Sequence, residues 1–231
     1  MRDPRLFADR TEAGRALAAA VAAHLGQAGR RGRPLVLALP RGGVPVGFEV
    51  ARMIDADLDV IVARKIGAPW QPELGIGAVA EDGPPIFNRA MLRELRLDAG
   101  QLEPLVQRER AEVRRRLGRY RGDRPPPDLS NRTVIVVDDG LATGATARAA
   151  LAAAREKQPA RLMFAAPVCA ADSAAALRAE TDAVICVRAP AGFQAVGRWY
   201  ADFGQLSDAE VERLLTMAWG AGMAGRFGSC A

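Results

Sequence analysis

The chain has 231 residues, 49% of them hydrophobic and 26% charged, with a formal net charge of +5. That length buries a sizeable core, and the balance is that of a globular domain rather than a disordered or fibrous chain. No apolar run approaches the roughly 18 residues that span a bilayer, and three cysteines without paired spacing argue against a disulfide framework or a zinc site.

In chain order, the stretch MRDPRLFADRTEAG carries no hydrophobic signal core, so a cytoplasmic protein is expected. Asp9 and Glu12 form a capping box, and the helix it opens runs through AGRALAAAVAAHL to about Gly26. His24, the only histidine, lies near the end of this helix and reads as structural. PLVLAL (34–39) is a buried strand, and PRGGVP turns it into a helix at Pro45, a favoured first helical position. LDVIVA (58–63), GIGAVA (75–80), TVIVVD (133–138), RLMFAA (161–166) and AVICV (183–187) are further short strands. Cys169 and Cys186 read as buried thiols. Short apolar runs separated by helical patterns indicate parallel strands with crossover helices, hence an open, mainly parallel α/β sheet.

Two stretches interrupt this alternation. Residues 88–121 form a helical insertion, with Leu102, Leu105, Val106, Val113, Leu117 and Tyr120 along one face, and RGDRPPPDLSN (121–131) is its return linker. Residues 88–124 carry eleven Arg against six acids, which accounts for the whole chain's charge. After Arg188, Phe193, Trp199, Tyr200 and Phe203 fall within eleven residues and mark a small C-terminal hood over about 189–220. The expected organisation is one domain, 1–231, with its core at about 34–87 and 132–188.

Several chemistries lack their motif. VIVVDD suits the acidic strand end of a P-loop NTPase, but neither Lys65 nor Lys157 is followed by Ser or Thr. GIGAVA matches G-x-G-x-x-A but reads as a strand that meets Pro84-Pro85 instead of opening a helix. None of the four serines lies in a nucleophile elbow. Two strand-to-helix turns remain, and both suit phosphate. In PRGGVP the paired glycines let backbone N–H groups close around an anion beside the Arg41 guanidinium. In DDGLATGAT, Thr143 to Thr146 lies at a helix N-terminus, where free N–H groups and hydroxyls hold a phosphate monoester. The acids just upstream would repel that phosphate unless they bind sugar hydroxyls or a magnesium ion through water. The plain alternative is two tight turns and a solvated Asp pair.

VIVVDDGLATGAT (134–146) resembles the phosphoribosyl pyrophosphate (PRPP) motif of the type I phosphoribosyltransferases, departing from it at Gly140, where that family has an aliphatic residue or Ser. LALPRGGVPVGFEVA resembles the family's pyrophosphate loop, and ARK (63–65) resembles the Arg-Lys after the second core strand of adenine-type members. The whole chain, including FADRTEAG and RKIGAPWQPELGIGAVAEDG, is similar to a bacterial group known as predicted phosphoribosyltransferases.

The resemblance implies an enzyme of nucleotide salvage, a PRPP-dependent pentosyltransferase. Asp138 and Asp139 would take the ribose 2- and 3-hydroxyls, and magnesium would lie near them through ribose or water. Ala142, Thr143, Gly144, Ala145 and Thr146 would line the 5-phosphate site. Arg41, Gly42 and Gly43 would cradle pyrophosphate, with Arg64 and Lys65 as further ligand contacts. Asp138, Asp139, Arg41 and Lys65 form the catalytic set. A nucleophile displaces pyrophosphate from C1 through an oxocarbenium-like state, and the protein supplies positioning and charge stabilisation. The family's pyrophosphate loop commonly holds a non-proline cis peptide before its basic residue, which here is the Pro40–Arg41 bond. Expected partners are PRPP, an unidentified base and a second copy of the chain, with no membrane.

In 6-oxopurine enzymes a further Asp, assigned as a proton acceptor, occupies the position of Ala142; its absence argues against those bases. Glu73 and Glu81 are candidate bases, and the aromatic tail fits either a hood stacking on a base or a segment packed on the core. A different function class is a PRPP- or nucleotide-binding regulator that acts on RNA or DNA through the Arg-rich helix at 101–119. The first reading of that helix is a solvated face or a dimer arm, then a lid, with a nucleic-acid face last.

Overall fold

The computed structural model describes residues 6–28 and 32–224. Helix α1 (Arg10–Ala28) leads into strand β1 (Leu35–Ala38), helix α2 (Gly43–Ile54) and strand β2 (Asp57–Val60). Strands β3 (Ala63–Ala68), β4 (Gln71–Ala80) and β5 (Ile86–Phe87) follow, then helices α3 (Arg89–Glu94) and α4 (Glu103–Arg121). The chain returns through β6 (Thr133–Val137), α5 (Ala145–Glu156), β7 (Arg161–Val168), α6 (Ala171–Leu177), β8 (Ala183–Arg188) and α7 (Asp208–Ala224).

The main sheet is parallel, in the order β2-β1-β6-β7-β8. Its central strand, TVIVV, is buried throughout, as a β-branched strand covered on both faces must be. Alternate residues of β1 divide between the two layers. Val36 and Ala38 face α1, α2 and α7, whereas Leu35 and Leu37 face α5 and α6. The Ala-rich α5 lays Ala147, Ala150, Leu151 and Ala154 on the second face, since Ala favours helix and its short side chain permits close approach.

The chain leaves β1 toward β2 and leaves β6 toward β7, in opposite directions along the sheet. The β1–β6 boundary is therefore a topological switch point, where a crevice opens beyond the strand ends.

A second sheet, β3-β4-β5, is antiparallel. This corrects two sequence expectations. The run at 58–63 is not one strand: β2 ends at Val60, and after two residues the chain enters the second sheet as β3. GIGAVA is the second half of a ten-residue hairpin strand, not a parallel core strand. An unbroken apolar run carries no mark where it changes partners.

The inserted α4 ties the two units together. Leu102, in the turn before it, and Val106 pack on the small sheet with Ile66 and Ile76, whereas Val113, Leu117 and Tyr120 join the main core. Five of the six residues on the expected apolar face are buried, and Leu105 is half-buried. After β8 the chain makes a short 3-10 turn at Val196–Trp199. Tyr200 then pairs with Phe7 in a parallel bridge, so the segments before α1 and after β8 lie side by side. Helix α7 packs on the α2 side, and Trp219 donates from Nε1 to the Leu58 carbonyl at 2.9 Å.

Candidate functional site

The two loops singled out in the sequence meet at the switch point. The loop after β1 holds Arg41, Gly42 and Gly43, with Gly43 opening α2. The loop after β6 holds Asp138 and Asp139 and ends at Gly144, the residue before α5. They touch directly. A Cβ added at Gly42 would lie 1.9 Å from Asp139 Oδ2, and one at Gly43 would lie 2.6 Å from the Val137 carbonyl. Only glycine fits where one backbone lies on the other's carboxylate. The Pro40–Arg41 peptide is cis, as the resemblance implied.

The two helix N-termini differ. At α2 the first two N–H groups are already used, Gly43 donating to the Leu39 carbonyl at 2.9 Å and Val44 to the Arg41 carbonyl at 3.2 Å. Gly144 provides no side-chain cap to α5, so the first-turn N–H groups there keep their affinity for an anion. Gly144 has φ +75°, which lets the chain turn sharply from the loop into α5. Ala142 and Thr143 are exposed, and Ala145 and Thr146 are half-buried. Neither threonine hydroxyl has a hydrogen-bond partner among the described residues. The Ala142 carbonyl accepts from Ser173 Oγ, which fixes the loop to α6. Arg41, half-buried, forms no ion pair among the described residues; the Asp208 carboxyl is held below its ordinary range by the Tyr120 hydroxyl first, with smaller help from the charges of Arg119 and Arg41.

The acid pair is electrostatically costly. Burial pushes the Asp138 carboxyl well above the usual carboxylate range, and the adjacent Asp139 charge pushes it further. Burial also raises Asp139, opposed by Arg10, whose Nε donates to Asp139 Oδ2 at 2.8 Å. Tyr200 donates its hydroxyl to the Asp139 carbonyl at 2.6 Å. Paired carboxylates kept at a strand end despite the cost of burial make this a candidate functional site.

Arg64 and Lys65 lie on β3, in the second sheet, with partners of their own. Arg64 Nε contacts Glu109 of α4 at 2.9 Å, and Lys65 Nζ donates to the Glu73 carbonyl at 2.7 Å. Glu81 lines a cavity of about 260 Å³ with Leu37, Ile61, Leu129 and Lys157, and no residue of the two loops lines it. Among the described residues no three His, Cys, Asp or Glu side chains gather to hold a metal. Asp138 and Asp139, the latter held by Arg10, are the carboxylates that would hold a magnesium ion, a hard cation that takes oxygen ligands and keeps several waters.

The arginines of α4 are largely paired. Arg115 and Arg116 contact Glu112 at 2.7 and 2.9 Å, and Arg119 contacts Asp208 and Glu212 at 2.8 and 2.7 Å. Cys169 is buried and Cys186 half-buried, both as free thiols, and Cys230 lies outside the described residues. No described helix is long and apolar enough to cross a membrane.

Sequence reasoning missed Arg10, and it placed Tyr200 in the aromatic hood without its bond to the Asp139 carbonyl. Arg10 gave no local signal, because its partner is 129 residues away.

An open α/β fold whose switch point brings together a glycine-rich loop and an acidic one has the architecture of a phosphoribosyl transferase domain. The family model described as Phosphoribosyl transferase domain matches residues 8–198, and the chain belongs to that family. It is 44% identical over 214 residues to the Mycobacterium tuberculosis (strain H37Rv) protein named "Putative phosphoribosyl transferase Rv0571c", covering 93% of this chain and 47% of that protein. The chain thus spans about half the length of the curated relatives it matches. Among solved structures, TT1426 from Thermus thermophilus is 41% identical with a TM-score of 0.77, covering 92% of this chain and 98% of that one. A hypothetical protein from Neisseria gonorrhoeae, solved with bound ppGpp, is 11% identical with a TM-score of 0.51, covering 92% and 96%, and shares the fold alone.

Proposed function

We propose that the chain binds PRPP with magnesium and transfers its phosphoribosyl group to a nitrogenous base or similar acceptor, releasing pyrophosphate. The observation that carries this is the contact of Gly42 with Asp139, which joins the two loops into one ligand cradle. Asp138 and Asp139 would orient the ribose hydroxyls. The open N-terminus of α5, with Thr143 and Thr146, would hold the 5-phosphate. Arg41, free of any acidic partner among the described residues, would take charge from the departing pyrophosphate. Lys65 and Arg64 would have to exchange Glu73 and Glu109 for ligand before they could take part. Bound magnesium would supply further charge neutralisation at the pyrophosphate.

The apolar face of α4 packs on both units, and Arg115, Arg116 and Arg119 are paired with acids; both favour a strut over a nucleic-acid face, and so the transferase over the regulator reading. The test is turnover of labelled PRPP against a panel of bases, with and without excess chelator. Pyrophosphate release that depends on both a base and magnesium is expected. PRPP binding with no release for any acceptor would replace the enzyme by a binding protein.

A further inference from the structure

Arg10 lies in the first turn of α1, far in sequence from either loop, yet its guanidinium is clamped in the candidate site. Nε donates to Asp139 Oδ2 at 2.8 Å, and the two side chains are only 12% and 14% exposed. Nη1 donates to the Gly204 carbonyl at 2.8 Å, and the Phe203 ring covers the guanidinium at 3.9 Å. The carboxylate oxygen held by Arg10 is the one lying against Gly42. A planar fork that bonds on one edge and stacks on its face is well fixed, and a lysine could not reproduce both contacts.

The position matters because of charge. PRPP is a polyanion, and two adjacent carboxylates at its binding loops oppose it. A fixed guanidinium on the second carboxylate removes one of those charges and locks the oxygen that sets the spacing between the loops.

On the PRPP-binding reading above, we infer that Arg10 is a positioning residue of this site: it holds Asp139 against Gly42 and offsets one carboxylate charge where the anionic ligand binds. Among the described residues Asp138 forms no ion pair, so the two acids differ in their surroundings. Asp139 sets the loop geometry through the Oδ2 that Arg10 holds, which leaves its other oxygen and Asp138 to meet the sugar.

The test is calorimetric titration of the full chain with magnesium and PRPP, and separately with ribose 5-phosphate, using Arg10→Gln, Arg10→Lys and Arg10→Ala. Arg10→Gln and Arg10→Ala should weaken PRPP by about tenfold or more, the size of a lost charge-assisted contact. Arg10→Lys should fall between them and the wild type. Low-millimolar guanidinium should restore part of the Arg10→Ala loss, which a purely structural defect would not allow. In an Asp139→Asn background, Arg10→Gln should cost little more. If Arg10→Ala fails to fold, the Gln and Lys variants, checked by melting, decide. Unchanged PRPP affinity in a folded Arg10→Gln protein overturns the inference, and tighter binding does so too, because Arg10 would then compete with ligand. A wild-type chain that binds no PRPP removes the underlying reading and this inference with it.

Discussion

Val196 rests on the α-carbon of Gly140: a methyl group placed there would lie 2.4 Å from Val196 Cγ1. Gly140 is the position where the chain departs from the PRPP motif it resembles, and the 3-10 turn at Val196–Trp199 occupies the space that an aliphatic side chain would fill. Gly140→Ala should therefore destabilise by about 1–3 kcal/mol, the cost of overpacking a filled site. The melting temperature reads this directly. Val196→Ala in the same chain should recover most of the loss; a double variant no better than Gly140→Ala would mean that the backbone, not Val196, requires glycine.

Asp138→Asn should separate stability from binding. The carboxyl is raised by burial first and by Asp139 second, so its charged form disfavours the folded state at neutral pH. Removing the charge should raise the melting temperature, by ~2–4 °C for each ~1 kcal/mol gained. PRPP affinity should fall by about 1.5–3 kcal/mol, because a charge-assisted hydrogen bond to the sugar is lost. A lower melting temperature would show that Asp138 has a supporting partner that neutralisation breaks.

Arg41→Gln should weaken pyrophosphate and PRPP binding by about 1.5–3 kcal/mol and leave the melting temperature within about 1–2 °C, since substitutions away from structural contacts stay within ±0.5 kcal/mol. The reason is that Arg41 has no ion pair to lose among the described residues. Titration with inorganic pyrophosphate measures the first quantity, and equal affinity in both proteins would remove Arg41 from the site.

Glu112 gives a pH signature remote from the loops. Its hydrogen bonds to Arg115, then Arg116, hold its carboxyl at about 2 instead of 4.5. A depressed folded value contributes stability that is present above the unfolded value and lost as pH falls through the folded one. At pH 7, Glu112→Gln should cost under ~1 kcal/mol, as a half-exposed network does. That difference should shrink as pH falls from 4.5 toward 2. Parallel melting curves across this range test it; a gap that stays constant would mean the ion pairs do not carry the effect.

Much of this fold is legible in the sequence because its cues are local. Half of the expected capping box at Asp9 forms: Glu12 N donates to Asp9 Oδ1 at 2.8 Å, but the Glu12 carboxylate accepts from Ala8 N instead of Asp9 N. The run TVIVV could only be a buried strand, and the two turns after β1 and β6 announce themselves through glycine and hydroxyl content. The second sheet was hidden because Val60 and Ala63 are equally apolar on either side of the exchange. Arg10 was hidden for a different reason. A contact spanning 129 residues is a product of topology, and no window along the chain contains both partners.

The clamp on Arg10 also sets an order of assembly. Its acidic partner, Asp139, enters the growing chain well after Arg10 itself, and its remaining partners, Phe203 and Gly204, come later still, 194 residues from Arg10 at the farthest. On a ribosome, where the N-terminal part emerges first, every strand of the main sheet is synthesised before the guanidinium can be covered. Until then the Asp139 carbonyl lacks the Tyr200 hydroxyl and the Arg10 guanidinium lacks the Phe203 ring. Helix α7 follows Gly204 in sequence and packs on the main core, so an arrested or truncated chain ending before Phe203 should hold every strand of the main sheet but lack both that helix and the ring over Arg10.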